Sequence, residues 1–145
     1  MTKSRAVSAS RLIPAPASRI FEVLADPRQH VLLDGSGSVT GVGRAPERLC
    51  LGARFSMSMR IGAKYTTSNK VVAFDEGRCI AWHHFARFVW RYDLVEVKGG
   101  TRVTESFDYD RPWAWTIMVL GFPERNRHSM ELTLERLERA VTSLP

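Results

Sequence analysis

Hydrophobic and polar positions change their period twice along this chain. Between residues 4 and 13 they alternate, with Val7, Ala9, Arg11 and Ile13 on one face and Ala6, Ser8, Ser10 and Leu12 on the other, which is the signature of a strand. Pro14-Ala15-Pro16-Ala17 then opens a helical stretch in which Ala17, Ile20, Phe21 and Leu24 recur at helical spacing; proline in a first helical turn forfeits no hydrogen bond. Asp26-Pro27 ends that helix and predicts a second, short one with Asp26 as its N-cap, stopping at Asp34-Gly35-Ser36-Gly37. From there period two returns. It predicts strands at residues 38–43, 53–61, 64–74, 79–86, 88–97 and 102–109, separated by a loop containing Pro46, the turn Asp75-Glu76-Gly77-Arg78 and the hairpin Lys98-Gly99-Gly100-Thr101. Connections this short require antiparallel neighbours.

The last change is back to a helical period. Over residues 123–144, Met130, Leu134, Leu137, Val141 and Leu144 line one side, while Glu131, Glu135, Glu138 and Arg139 lie off it. Such a helix needs an apolar surface to rest on, and the strands before it supply the candidate. The expected architecture is α+β: a curved antiparallel sheet of about seven strands wrapped around a long C-terminal helix, with two short helices after the first strand. A sheet curved around one helix can leave a hollow between them.

At 145 residues the chain is expected to fold as a single domain over residues 1–145. With 44% hydrophobic and 25% charged residues its composition is that of a globular protein. The net charge of +6 raises nucleic acid or an anionic membrane as partners. The basic residues, however, are scattered singly, as at Arg11, Arg19, Arg28, Arg44, Arg54, Arg60, Arg78 and Arg102, so no nucleic-acid partner is expected. Cys50 and Cys79 show no metal or redox spacing; a single disulfide and two buried thiols in a reducing compartment are the readings open to them, and the second is expected. The most apolar stretch, residues 113–122, is roughly half of what a spanning helix needs. A cytoplasmic protein without an integral membrane segment is expected.

Several short pieces, in this order and spacing, resemble a known family. They are Ile13-Pro14-Ala15-Pro16-Ala17 with Ile20-Phe21 and Leu24-Ala25-Asp26-Pro27; Gly52-Ala53-Arg54-Phe55; Asn69-Lys70-Val71-Val72-Ala73-Phe74-Asp75 leading to Ala81-Trp82; Gly100-Thr101-Arg102-Val103-Thr104-Glu105; and Leu134-Glu135-Arg136-Leu137. With the order of elements they resemble the helix-grip fold of the START and birch-pollen-allergen-like superfamily (SRPBCC), in its bacterial polyketide cyclase/dehydrase-like branch. Nearly the whole chain is covered. The resemblance implies a protein that binds lipids, sterols, polyketides or similar molecules; a minority of members cyclise or dehydrate bound polyketides. Fold alone does not choose among these.

The faces of the strands supply the candidate site. With Phe55, Met57 and Met59 inward, the same side carries Tyr65, Thr67 and Asn69, then Trp82 and His84, then Trp90 and Tyr92, then Val103, Glu105 and Phe107. Packed aromatic core and ligand cavity are the two readings of this face. Asn, His, Tyr and Glu on inward positions favour the cavity, because buried polar groups are costly unless paired. Met130 and Leu134 of the long helix would form its opposite wall. His84 and Glu105 could meet as an imidazole–carboxylate pair able to move a proton near neutral pH; a one-residue slip would put His83 inward instead. Arg91 is expected to face out. Residues 113–122, with Trp113 and Trp115, are too apolar for an exposed loop; lid over the cavity, membrane-touching patch, homodimer surface and plain packing are the roles open to them. His83 and His84 point to opposite strand faces, and His30 and His128 have no ligand spacing, so no metal and no cofactor are expected. The favoured function is binding of a small hydrophobic molecule, lipid-like or aromatic. A cyclase/dehydratase-like enzyme using His84 and Glu105 is the alternative, and an interaction module using residues 113–122 the third reading.

Overall fold

The computed structural model describes residues 6–37, 39–61, 63–83, 88–109 and 122–143. The chain runs β1 (Ala6–Ile13), α1 (Ala17–Leu24), α2 (Gln29–Leu33), β2 (Val39–Val42), β3 (Arg54–Ile61), β4 (Ala63–Asp75), β5 (Cys79–His83), β6 (Val89–Val97), β7 (Gly100–Asp108) and α3 (Phe122–Thr142). The strands form one antiparallel sheet in the order β1-β7-β6-β5-β4-β3-β2. This is the α+β helix-grip plan expected from the alternation of the strands. Sequence neighbours pair throughout, except that the two helices carry the chain from edge strand β1 to the opposite edge at β2.

The amphipathic stripe of α3 is what fastens it. Met130, Leu134, Leu137 and Val141 are all buried, and the helix packs mainly on β1, with smaller contacts to β7, α1 and α2. Two cross-ties reinforce it: Arg11 of β1 reaches Glu138 at 3.2 Å, and Arg19 of α1 donates to the carbonyl oxygen of Val141 at 3.2 Å. Turn geometry completes the frame. Gly35 lies so close to α3 that a Cβ there would stand 2.3 Å from the carbonyl oxygen of Ser129. Its own N–H donates to Thr133 Oγ1 at 2.9 Å, and Arg136 donates to the Asp34 carbonyl oxygen. The turn after α2 is thereby held on the helix. At the other end, the buried Thr101 hydroxyl donates to the Ala15 carbonyl oxygen at 2.8 Å and joins β7 to the loop before α1.

Three local expectations need correction. Asp26 does not cap α2: the N-cap position is Arg28, and Asp26 Oδ1 instead accepts the Arg28 N–H at 3.0 Å, closing a turn before the helix. β7 begins at Gly100 rather than 102, because the hairpin turn pairs its flanks fully, with Gly100 opposite Val97. Cys50 is exposed; only Cys79 is buried, and both thiols are free. Cys50 sits in a loop, where no period exists to assign it a face. Among the described residues no helix is long and apolar enough to cross a membrane.

Candidate functional site

The register of the sheet lines up two rows of side chains on the face that carries α3. One row reads Ala9, Glu105, Tyr92 and Ile80 across β1, β7, β6 and β5. The adjacent row reads Val7, Phe107, Trp90 and Trp82 across the same strands. On β4 and β3, Asn69 is opposite Phe55 and Thr67 opposite Met57. Glu105 and Tyr92 therefore sit side by side, two residues along their strands from the rings of Phe107 and Trp90, because every second residue of a strand shares a face.

These residues divide the apolar interior into two clusters. The larger joins Ile20, Phe21, Phe55, Met57, Val71, Tyr92, Leu94, Val103, Leu134 and Leu137. The smaller joins Val7, Phe88, Phe107, Tyr109 and Met130, with Trp90 against it. Ala9 packs against both, and the residue facing Ala9 across the strand pair is Glu105. A carboxyl group thus occupies the seam between two apolar clusters, 3% exposed.

Glu105 is the electrostatic centre of the site. Burial pushes its carboxyl up to about 8, with the neighbouring Tyr92 hydroxyl opposing the rise and the negative charge of Asp34 adding to it. Tyr92, buried beside it, is in turn raised well above its ordinary value, first by burial and then by Glu105. Oε1 of Glu105 is buried and has no hydrogen-bond partner among the described residues. An orphaned buried oxygen costs about 1–3 kcal/mol.

The sequence reading missed His30, because a five-residue helix offers no period from which to assign its direction. Its ring stacks on Trp82 with centroids 5.0 Å apart and meets Phe55 edge-on at 5.8 Å. Nε2–H donates to the Leu24 carbonyl oxygen at 2.9 Å, and burial holds the imidazole below its ordinary 6.5, against the opposing pull of that carbonyl and of Asp26. Trp82 continues the aromatic chain to Phe55 and to Tyr92, at 5.8 Å each, and Trp90 lies 4.4 Å from Phe107. In the sequence Asp34 marks only a turn. It accepts from the N–H groups of Ser36 and Val39, and the attachment of its turn to α3 brings its charge to bear on Glu105.

Of the residues expected at the site, Phe55, Met57, Thr67, Asn69, Tyr92, Glu105, Phe107, Met130 and Leu134 are buried. Met59, Trp82 and Trp90 are half-buried, and Tyr65 is exposed at the far end of the face. The Asn69 amide donates to the Phe55 carbonyl oxygen at 3.4 Å and to Thr67 Oγ1 at 3.3 Å, so its polarity is spent locally. Arg91 faces outward, paired with Asp93 at 2.9 Å. His84, Trp113 and Trp115 lie outside the described residues. Among the described residues no group of three or more His, Cys, Asp or Glu is placed to hold a metal ion.

Residues 4–142 match the family described as polyketide cyclase / dehydrase and lipid transport. Over 138 residues the chain is 36% identical to the uncharacterized protein Rv0088 of Mycobacterium tuberculosis (strain ATCC 25618 / H37Rv), a match that takes in 90% of this chain and 62% of that protein. The chain thus spans less than two thirds of the length of this relative. Among solved structures it is similar to protein Ms6760 from Mycobacterium smegmatis, at 22% identity and a TM-score of 0.74, covering 97% of this chain and 92% of that one. It is also similar to the AHSA1-like protein from Aeromonas hydrophila, at 17% identity and a TM-score of 0.66, covering 95% and 92%. At these identities the structural likeness speaks for the fold.

Proposed function

The chain belongs to the polyketide cyclase/dehydrase and lipid transport family, and from that premise we propose that it binds one small hydrophobic molecule between the sheet and α3. The observation that carries this reading is the orphaned Oε1 of Glu105, placed in a seam between two apolar clusters and beside the half-buried rings of Trp82 and Trp90. A solid core gains nothing from such a group, whereas a ligand site needs a few polar atoms among apolar walls. Phe55, Met57, Met59, Phe107, Met130 and Leu134 are the proposed walls, and methionine suits irregular ligands. We place the protein in the cytoplasm, where the free thiols of Cys50 and Cys79 stay reduced. The native protein is expected to bind the uncharged dye Nile red saturably, near one equivalent, with a blue-shifted emission that urea unfolding abolishes. Absence of saturable binding to the native protein defeats the proposal.

A second reading rests on the same carboxyl. An acid that titrates near 8 beside a tyrosine is poised to give or take a proton at neutral pH, which is what closing or dehydrating a polyketide chain demands. If this reading holds, a linear poly-β-keto thioester is turned over and Glu105→Gln lowers kcat by about 100-fold or more with KM little changed. No turnover by the unaltered protein, or equal turnover by the variant, rules it out.

A further inference from the structure

We infer that the outer face of the β3–β4 hairpin docks on an anionic lipid bilayer. The basic residues stand singly in sequence, and the fold gathers them. Phe55 and Met57 face the interior, so Arg54, Ser56, Ser58 and Arg60 face the other way, as alternation requires. The register sets Arg54 opposite Lys70 and Arg60 opposite Lys64, with Ser56 opposite Ser68 and Ser58 opposite Thr66 between them. From Arg54 to Arg60 the strand rises roughly 20 Å, at about 3.3 Å per residue. Arg44, also exposed, lies beside Ser56, whose hydroxyl oxygen accepts its N–H at 2.8 Å.

Like charges directly opposite one another weaken a sheet, and nothing in the fold relieves these. From Arg48 to Phe74 the sequence holds no acidic residue. Asp75 closes β4 at the end away from the hairpin, and Glu76 beyond it is engaged by Arg48. Arg54, Arg60, Lys64 and Lys70 enter no ion pair among the described residues. Opposed cations without an internal partner are complementary to an external anion. The chemistry between them selects its kind. Only the short hydroxyl side chains of Ser56, Ser58, Thr66 and Ser68 stand there. Phe55 and Tyr65 belong to the opposite side of the hairpin, which leaves no ring on this face for a base to stack on. Nor does a described helix stand on it to enter a groove, since α3 packs on the inner side. A layer of anionic headgroups needs neither, only several cations brought to its surface together. Tyr65, 39% exposed toward the tip, is the kind of side chain that settles at a membrane–water boundary.

Vesicle sedimentation with the intact protein tests this, using phosphatidylcholine alone and phosphatidylcholine mixed equally with phosphatidylglycerol. Binding to the mixed vesicles and not to the neutral ones is expected. Arg60→Gln with Lys64→Gln is expected to weaken it by about 10-fold or more, at roughly fivefold per cation near the surface. Arg78→Gln with Arg102→Gln removes the same charge from exposed positions elsewhere and is expected to change it by less than about twofold, because charges away from the surface are screened. Equal losses in the two double variants would mean attraction by net charge alone, and would overturn the docking face. So would binding to neutral vesicles as tight as to the mixed ones, or binding to neither. A labelled oligonucleotide, duplex or single-stranded, that binds more tightly than the mixed vesicles and is released by the Arg60 and Lys64 replacements gives the face to nucleic acid instead. Urea unfolding checks the fold: relieved of one opposed pair, that double variant is expected to be at least as stable as the parent. The comparison of neutral with anionic vesicles needs no variant. Nile red uptake tests the binding proposal separately, so the two can fail independently.

Discussion

Between about pH 4.5 and about pH 8 the folded chain is expected to lose on the order of 5 kcal/mol of stability through Glu105 alone. The folded carboxyl keeps its proton up to about 8, while the unfolded one releases it near 4.5. Between those values the folded state binds more protons, so stability falls as pH rises. Below the lower value both states are protonated and the full stability is present; above the upper one both are ionised and the loss is complete. His30 acts in the opposite sense. Burial holds its imidazole below 6.5, so the unfolded chain takes up a proton first as the solution is acidified, and stability is lost on that side. The two slopes overlap, which is why the informative quantity is a difference. Glu105→Gln keeps the shape and removes the titration. In urea unfolding across this range the variant is expected to be more stable than the parent above pH 8, and the gap to shrink steadily toward pH 4.5. Parallel profiles for the two proteins would mean that Glu105 titrates in water rather than in the seam. A bound ligand that gave Oε1 its missing partner would offset part of the cost.

What the sequence disclosed and what it withheld divide by range. Alternation is a local property, so the inward positions of Val103, Glu105 and Phe107 on β7, against Arg102 and Thr104, are legible from nine residues alone. The same holds for Phe55 and Met57 on β3 and for the stripe of α3. Register follows from the short connections, and with it the row that joins Glu105 to Tyr92. His30 belongs to the other category. Its direction is fixed by Trp82 and Phe55, which lie 52 and 25 residues away in sequence, and by the Leu24 carbonyl at the end of the preceding helix. One signal was available: Leu33, the buried residue of α2, is three positions after His30, which puts both on one face of even a short helix. Asp34 was hidden for a similar reason. A turn residue shows in sequence what it does for the turn, but not which strand its charge overlooks.

Leu137→Ala is expected to cost about 3 kcal/mol of folding stability, against a change of less than about 0.5 kcal/mol for Glu131→Ala on the wet side of the same helix. Leu137 is fully buried at the middle of the stripe, between Leu134 and Val141, so truncation leaves a hole that rigid neighbours close only in part. The polar ties of α3 do not substitute for it. The Arg11–Glu138 contact is partly exposed, at 39% and 27% of the two side chains, and pairs of that kind contribute little. The consequence reaches beyond the helix. α3 covers β1, the edge strand that supplies Val7 and Ile13 to the interior and faces Glu105 through Ala9, and it carries Met130 and Leu134, the proposed wall opposite the sheet. The variant should therefore show a lower urea midpoint with an unchanged m-value and unchanged far-UV circular dichroism. A cost below about 1 kcal/mol, outside the range for a close-packed leucine, would mean that the sheet holds its curvature without the grip of the helix, and that the proposed walls depend on β3 to β7 alone.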